Sequence, residues 1–139
     1  MSKTGNKGRF ISIVMRNELK GLEKKKLILV NAFSLAMLPK EISQAVLVVQ
    51  KLGLEEAKQL LERTQFESAV SHQSTAQVLS YMLGMRIEAN RKNVTLTDDV
   101  VLLVFQIYKR PAEGQVYTTE EMKEIIEKGL FDFYLVYSS

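Results

Sequence analysis

The chain has 139 residues, 46% hydrophobic and 25% charged, a balance that suits one globular domain with a real core. It has no cysteine and one histidine, which excludes disulfides, thiolate metal sites, cysteine nucleophiles and a structural zinc held within one chain. Of its 19 basic and 16 acidic residues, eight and two fall in residues 1–26, leaving 11 against 14, so the domain proper is mildly acidic and does not advertise a generic nucleic-acid surface.

Residues 1–26 read as a basic leader. Residues 1–8 are rich in Lys, Gly, Ser and Asn, a composition that favours disorder. Ile11, Met15, Leu19 and Leu22 then fall at helical spacing, which allows a short basic amphipathic helix over Arg9–Glu23; Met15 is an alternative start. No apolar run approaches the roughly 18 residues a membrane span needs, and Phe10–Met15 is too short and too polar at its edges for a signal peptide. The protein is expected to stay inside the cell that makes it.

The domain is expected over residues 27–139. The solid apolar run Leu27–Val30 predicts a central strand, followed by a loop or short turn over Asn31–Pro39. Ala45–Gln50, rich in β-branched residues, predicts a second strand. Leu54, Ala57, Leu60 and Leu61 line one face of a helix over Leu54–Arg63, and Phe66–Val70 reads as a third strand. A helix is expected from about Ser74 to Leu83, with Ala76, Leu79, Met82 and Leu83 inward and Gly84 as its stop. Val94–Leu96 and Val100–Tyr108 predict a hairpin turned at Thr97-Asp98-Asp99. Thr118-x-x-Glu121 is a capping-box pattern that opens a helix ending near Gly129, and Phe131–Tyr137 is a terminal strand whose aromatics suit a sheet core. The fold class is α/β: one mixed sheet flanked by helices.

Several positions could carry chemistry. His72 lies just before a helix, whose N-terminus offers free backbone N–H groups to a phosphate, with Ser74 and Thr75 as added hydroxyl donors. A histidine there can pass a proton to a leaving oxygen; it can equally be a capping or surface residue. Arg110 and Glu113 share a loop between strand and helix, suited to phosphate binding and to orienting a partner, or to a surface ion pair. Asn90-Arg91 precedes a strand and reads as a turn. Gln106, inside an apolar strand, is expected to be buried and to satisfy backbone or face a ligand; Asn31, at a strand end, carries the same ambiguity. There is no Walker A loop, GxGxxG, HExxH, GxSxG or two-metal acidic cluster.

The order Asn31-Ala32-Phe33-Ser34, Ser68-Ala69-Val70-Ser71-His72-Gln73-Ser74-Thr75-Ala76, Asn90-Arg91, Gln106 and Arg110-x-x-Glu113-Gly114 resembles the viral type III anti-CRISPR ring nucleases of archaeal viruses, phages and mobile elements. The resemblance spans about residues 27–137 and rests on the five blocks together. It implies a small α/β homodimer that binds cyclic tetra-adenylate across the dimer. The ring is opened without metal or cofactor to linear di-adenylates with 2′,3′-cyclic phosphates, which silences type III CRISPR effectors. It places the catalytic histidine at His72, an Arg/Glu pair at Arg110 and Glu113, and ligand contacts at Asn31, Ser34, Ser74, Thr75, Arg91 and Gln106. The family's usual glycine before the histidine is Ser71 here, a side chain able to crowd the phosphate. The basic leader is not a family feature. No membrane and no stable DNA partner are expected. The rival readings are a non-catalytic binder of the same ring and a DNA-associated regulator acting through the leader.

Overall fold

A computed structural model describes residues 25–112 and 116–139, so the expected leader helix and Glu113 lie outside the described residues. Strands β1 (Lys26–Val30), β2 (Leu47–Leu52), β3 (Phe66–Ala69), β4 (Val100–Ile107) and β5 (Phe131–Ser138) form one mixed sheet in the order β2-β5-β4-β1-β3. β1 runs parallel to β3 and β4, while β5 is antiparallel to β4 and β2. Helices α1 (Leu54–Arg63), α2 (Gln73–Leu83) and α3 (Thr119–Glu127) complete a single-domain α/β fold, with a 3-10 turn at Leu35–Met37. Among the described residues no helix is long and apolar enough to cross a membrane.

The apolar run in β1 follows from its position. Leu27 and Leu29 point into the larger core with α1, α2 and α3, and Ile28 and Val30 into a smaller core on the opposite face. A strand buried on both faces has no solvent side on which to place polar residues. The larger core takes Ala57, Leu60 and Leu61 from α1, Ala76, Leu79, Met82 and Leu83 from α2, and Met122 and Ile125 from α3. Phe131 and Phe133 of β5 belong to it with Phe105 of β4, their ring centroids 5.1–6.3 Å apart, while Tyr134 packs against the smaller core. Two helix ends use glycine as expected, with φ of +65° at Gly84 and +62° at Gly129, a backbone region that L side chains avoid.

Among the described residues no α-helix contributes to the smaller core. Phe33, Met37 and Leu38 from the β1–β2 connection and Val94 and Leu96 from the segment before β4 cover it instead. The expected Val94–Leu96 hairpin strand is therefore not formed. Both edges of β4 are already taken, by β1 and by β5, and Leu96 donates its N–H to the Met37 carbonyl at 2.7 Å. The turn survives, with Val100 N–H on the Thr97 carbonyl at 3.1 Å. β2 starts two residues later than expected, at Leu47 opposite Ser138, because pairing with β5 sets its limits and leaves Ala45 outside the ladder. β1 includes Lys26, which pairs with Val100, so the strand begins one residue before the expected Leu27.

Candidate active site at the carboxyl ends of the parallel strands

Because β4, β1 and β3 are adjacent and parallel, their carboxyl ends share one sheet edge. Val30 is level with Ala69 on one side and Val104 on the other, so Asn31, Ser71-His72, Gln106 and Arg110 all emerge there. Such an edge is where open α/β sheets bind ligands.

The turn from β3 into α2 is pinned to β1. Asn31 Oδ1 accepts from the Ser71 N–H at 3.0 Å and from the Ser71 hydroxyl at 3.1 Å. The hydroxyl that replaces the expected glycine is thus held by Asn31 instead of standing free over the helix. Asn31, expected to touch ligand, spends its carbonyl oxygen on shaping the turn.

His72 is the N-cap of α2, in extended conformation (φ −120°, ψ 132°), and its carbonyl accepts the Ala76 N–H at 3.0 Å. The helix starts at Gln73, one residue earlier than expected, because His72 takes the cap. The imidazole is exposed and bonds no described residue. Among the described residues no side chain caps the helix, and no acid lies in its first turn; the Gln73, Ser74 and Thr75 N–H groups have no intrahelical acceptor and sit at the positive end of the helix dipole.

Arg91 reaches the same place from the opposite side of β3. Val70 bridges to Ala89 in parallel fashion, and Asn90 donates its N–H to the Val70 carbonyl at 2.7 Å and its side-chain amide to the Ser68 carbonyl at 2.9 Å. The Ser68 hydroxyl donates to the Glu88 carbonyl at 2.6 Å. Asn90-Arg91 is therefore more than a turn: this lacing lays residues 88–90 along β3 and delivers Arg91 to the start of α2. Glu67 pairs with Lys26 and Lys92, while Arg91 pairs with no described acid.

A pocket of about 440 Å³ results, lined by Ser71, His72, Gln73, Ser74, Gln77, Arg91 and Val116. It brings together three of the expected residues, His72, Ser74 and Arg91. Gln77, one turn beyond Gln73 on the same helix face, went unread, although its i,i+4 spacing is a signal once the pocket side of α2 is known. Thr75, in the first turn of α2, is only 6% exposed and is not among the residues that line the pocket. Ser34 is exposed on the β1–β2 connection, outside the pocket.

Gln106 is exposed, not buried as expected. The apolar run from Val100 to Phe105 is covered on both faces, and the cover ends just before Gln106. In the β4–β5 ladder it is paired with Asp132, the centre of a second polar cluster. Tyr108 donates to Asp132 Oδ2 at 2.6 Å, Tyr134 donates to the same oxygen at 3.4 Å, and Lys51 Nζ lies 3.1 Å from Oδ1. The Tyr108 hydrogen bond, aided by Lys51, holds the Asp132 carboxyl below the usual range, and the same bond pushes the Tyr108 hydroxyl up.

Arg110 follows β4 and does not line the His72 pocket; Val116 separates that pocket from a second hollow of about 620 Å³ bordered by Lys109, Ala112 and Glu121. The capping box is present: Glu121 N–H donates to Thr118 Oγ1 at 3.1 Å and Thr118 N–H to Glu121 Oε1 at 2.9 Å. Two further contacts hold the Arg110 loop. Ala112 N–H donates to Glu121 Oε2 at 2.9 Å, and the Tyr117 hydroxyl donates to the Lys109 carbonyl at 2.5 Å. The Thr118 and Ala112 N–H groups lower the Glu121 carboxyl, and burial raises the Tyr117 hydroxyl against the pull of the Arg110 guanidinium.

An anion set against the free N–H groups of α2 would meet Arg91 beside it and the His72 imidazole at its edge. That arrangement can hold a phosphate and protonate an oxygen attached to it. Among the described residues no three His, Asp or Glu side chains are placed to share a metal ion.

The STIV B116-like family model matches residues 27–133. Over 100 residues the chain is 36% identical to "Uncharacterized protein 26" of Sulfolobus islandicus filamentous virus (isolate Iceland/Hveragerdi), covering 71% of this chain and 83% of that protein. Over 89 residues it is 35% identical to "Uncharacterized protein YddF" of Bacillus subtilis (strain 168), covering 63% and 79%. The solved structure of B116 of Sulfolobus turreted icosahedral virus (STIV) superposes with a TM-score of 0.65 at 30% identity, covering 81% of this chain and 98% of that one. With β2, β3, β4, α1, α2, α3 and the His72 pocket inside the matched span, the chain belongs to the STIV B116-like family.

Proposed function

We propose that the protein is a ring nuclease that linearises cyclic tetra-adenylate without metal, so lowering the messenger that drives type III CRISPR effectors. One observation carries the reading: the lone histidine stands beside an uncapped helix N-terminus and an arginine with no described acidic partner, in one pocket. The resemblance of the site blocks to viral ring nucleases gives the substrate class.

The chemistry asks little of the protein. RNA brings its own nucleophile, and the ribose 2′-oxygen attacks the adjacent phosphorus as its proton passes to solvent. The phosphorus–5′-oxygen bond breaks, His72 protonates the departing oxygen, and a 2′,3′-cyclic phosphate and a 5′-hydroxyl remain. Two such cuts convert the ring to two linear di-adenylates. The α2 N-terminus, Ser74 and Arg91 hold the charged phosphate, and Arg110 stabilises charge that grows in the transition state. Asn31 acts through Ser71, and Ser34 and Gln106 contact the outer parts of the ring. Glu113 orients a partner at the reacting phosphate.

The working unit is a homodimer with one ring between two equivalent sites, since a two-fold ligand is best met by an isologous interface. Leu35, Val46 and Val49, at 75%, 63% and 59% exposure, supply apolar surface of the kind a second copy covers. The place of action is the host-cell cytoplasm. Incubation with labelled cyclic tetra-adenylate followed by chromatography tests the reading. Di-adenylate product supports it; tight binding with no product would make the protein a sponge. DNA binding that is lost with the leader, in place of ring binding, would make it a regulator.

A further inference from the structure

We propose that Glu121 and Tyr117 are positioning residues that fix Arg110 for the reaction, a role that rests on the ring nuclease reading above. Arg110 sits between two backbone groups held by the start of α3: the Lys109 carbonyl on the Tyr117 hydroxyl at 2.5 Å, and the Ala112 N–H on Glu121 Oε2 at 2.9 Å. Pro111 lies between, with its φ fixed by the ring. Neither contact is needed to start the helix. The cap uses only Glu121 Oε1 and the Thr118 hydroxyl, which leaves Oε2 for the loop. Tyr117 is 5% exposed and packed in the larger core, so its hydroxyl is anchored from below. The brace holds the arginine where charge appears on the phosphate, so that it need not be ordered during the reaction.

Glu121→Gln is the discriminating change. The glutamine oxygen still accepts the Thr118 N–H, while its NH2 confronts the Ala112 N–H, so the cap survives and the brace is lost. Single-turnover cleavage of cyclic tetra-adenylate by the full chain should slow about tenfold with KM changed less than about twofold, and Tyr117→Phe should do the same. In an Arg110→Ala background neither change should slow the reaction further, because the residue they act through is gone. Amide exchange at Ala112 should speed up in Glu121→Gln. Equal slowing by Glu121→Gln with and without Arg110, or unchanged Ala112 exchange, overturns the brace. No cleavage by the wild-type chain would instead overturn the ring nuclease reading on which the brace depends.

Discussion

Asn31 offers the sharpest separation of scaffold from ligand contact. Asn31→Ala removes the acceptor of two part-buried hydrogen bonds, from the Ser71 N–H at 3.0 Å and hydroxyl at 3.1 Å. The hydroxyl can turn elsewhere, but the N–H is fixed by the backbone and loses its partner. One part-buried donor left unsatisfied costs about 1–3 kcal/mol, and the exposure of the turn favours the lower half of that range. We expect a loss of about 1–2 kcal/mol in urea unfolding, with the slope m unchanged. Asn31→Asp keeps an oxygen in the same place and should retain most of the stability. It also sets a negative charge near the pocket, and at ~4 Å in water a unit charge costs about 1 kcal/mol, so cyclic tetra-adenylate should bind roughly fivefold more weakly. An alanine variant with wild-type stability and cleavage would refute the pinning of the α2 turn. An aspartate variant that binds normally would show that the phosphate lies far from this end of β1.

Other expectations follow from the same geometry. His72→Ala should slow single-turnover cleavage by roughly a hundredfold while binding is spared, since its imidazole bonds no described residue and its removal disturbs no cap; near-normal rates would remove it from the mechanism. Asp132 has a depressed carboxyl, so its contribution to stability is full above the ordinary aspartate value of about 4 and is lost as pH falls through its lower folded value. The urea midpoint of the wild type should therefore drop more steeply below about pH 4 than that of Asp132→Asn, and parallel profiles would contradict the cluster. A chain beginning at Lys25 keeps the first β1 pair, Lys26 with Val100, and should fold and cleave as the full chain does. Loss of ring binding on that truncation would put the leader into the site.

Much of this was legible in the sequence because local signals and tertiary packing agreed. Leu54–Arg63 forms where its apolar spacing places it, Gly84 stops α2 in the left-handed region, and Thr118 and Glu121 make their box. The pocket follows partly from the same logic: a helix that opens directly after His72 must present free N–H groups. What was not legible depended on partners distant in sequence. Val94–Leu96 alternates like a strand, yet with both sides of β4 occupied it plugs a sheet face. Gln106 sits in an apolar run, and only the limit of the cover over β4 reveals it as exposed. Asn31 and Ser71 are 40 residues apart, and Ala112 and Glu121 nine, so neither contact has a local signature. Thr75 is buried while Ser74 lines the pocket, a difference set by the packing of α2 on the sheet.

The central claim is a metal-independent internal transesterification, and the chemistry of the cut end tests it most directly. The chain should be incubated with cyclic tetra-adenylate in excess EDTA and the products weighed by mass spectrometry. The account predicts linear di-adenylate carrying a 2′,3′-cyclic phosphate and a 5′-hydroxyl, formed at the same rate with or without EDTA. Products that carry a 5′-phosphate, or cleavage that stops when divalent ions are removed, would contradict it.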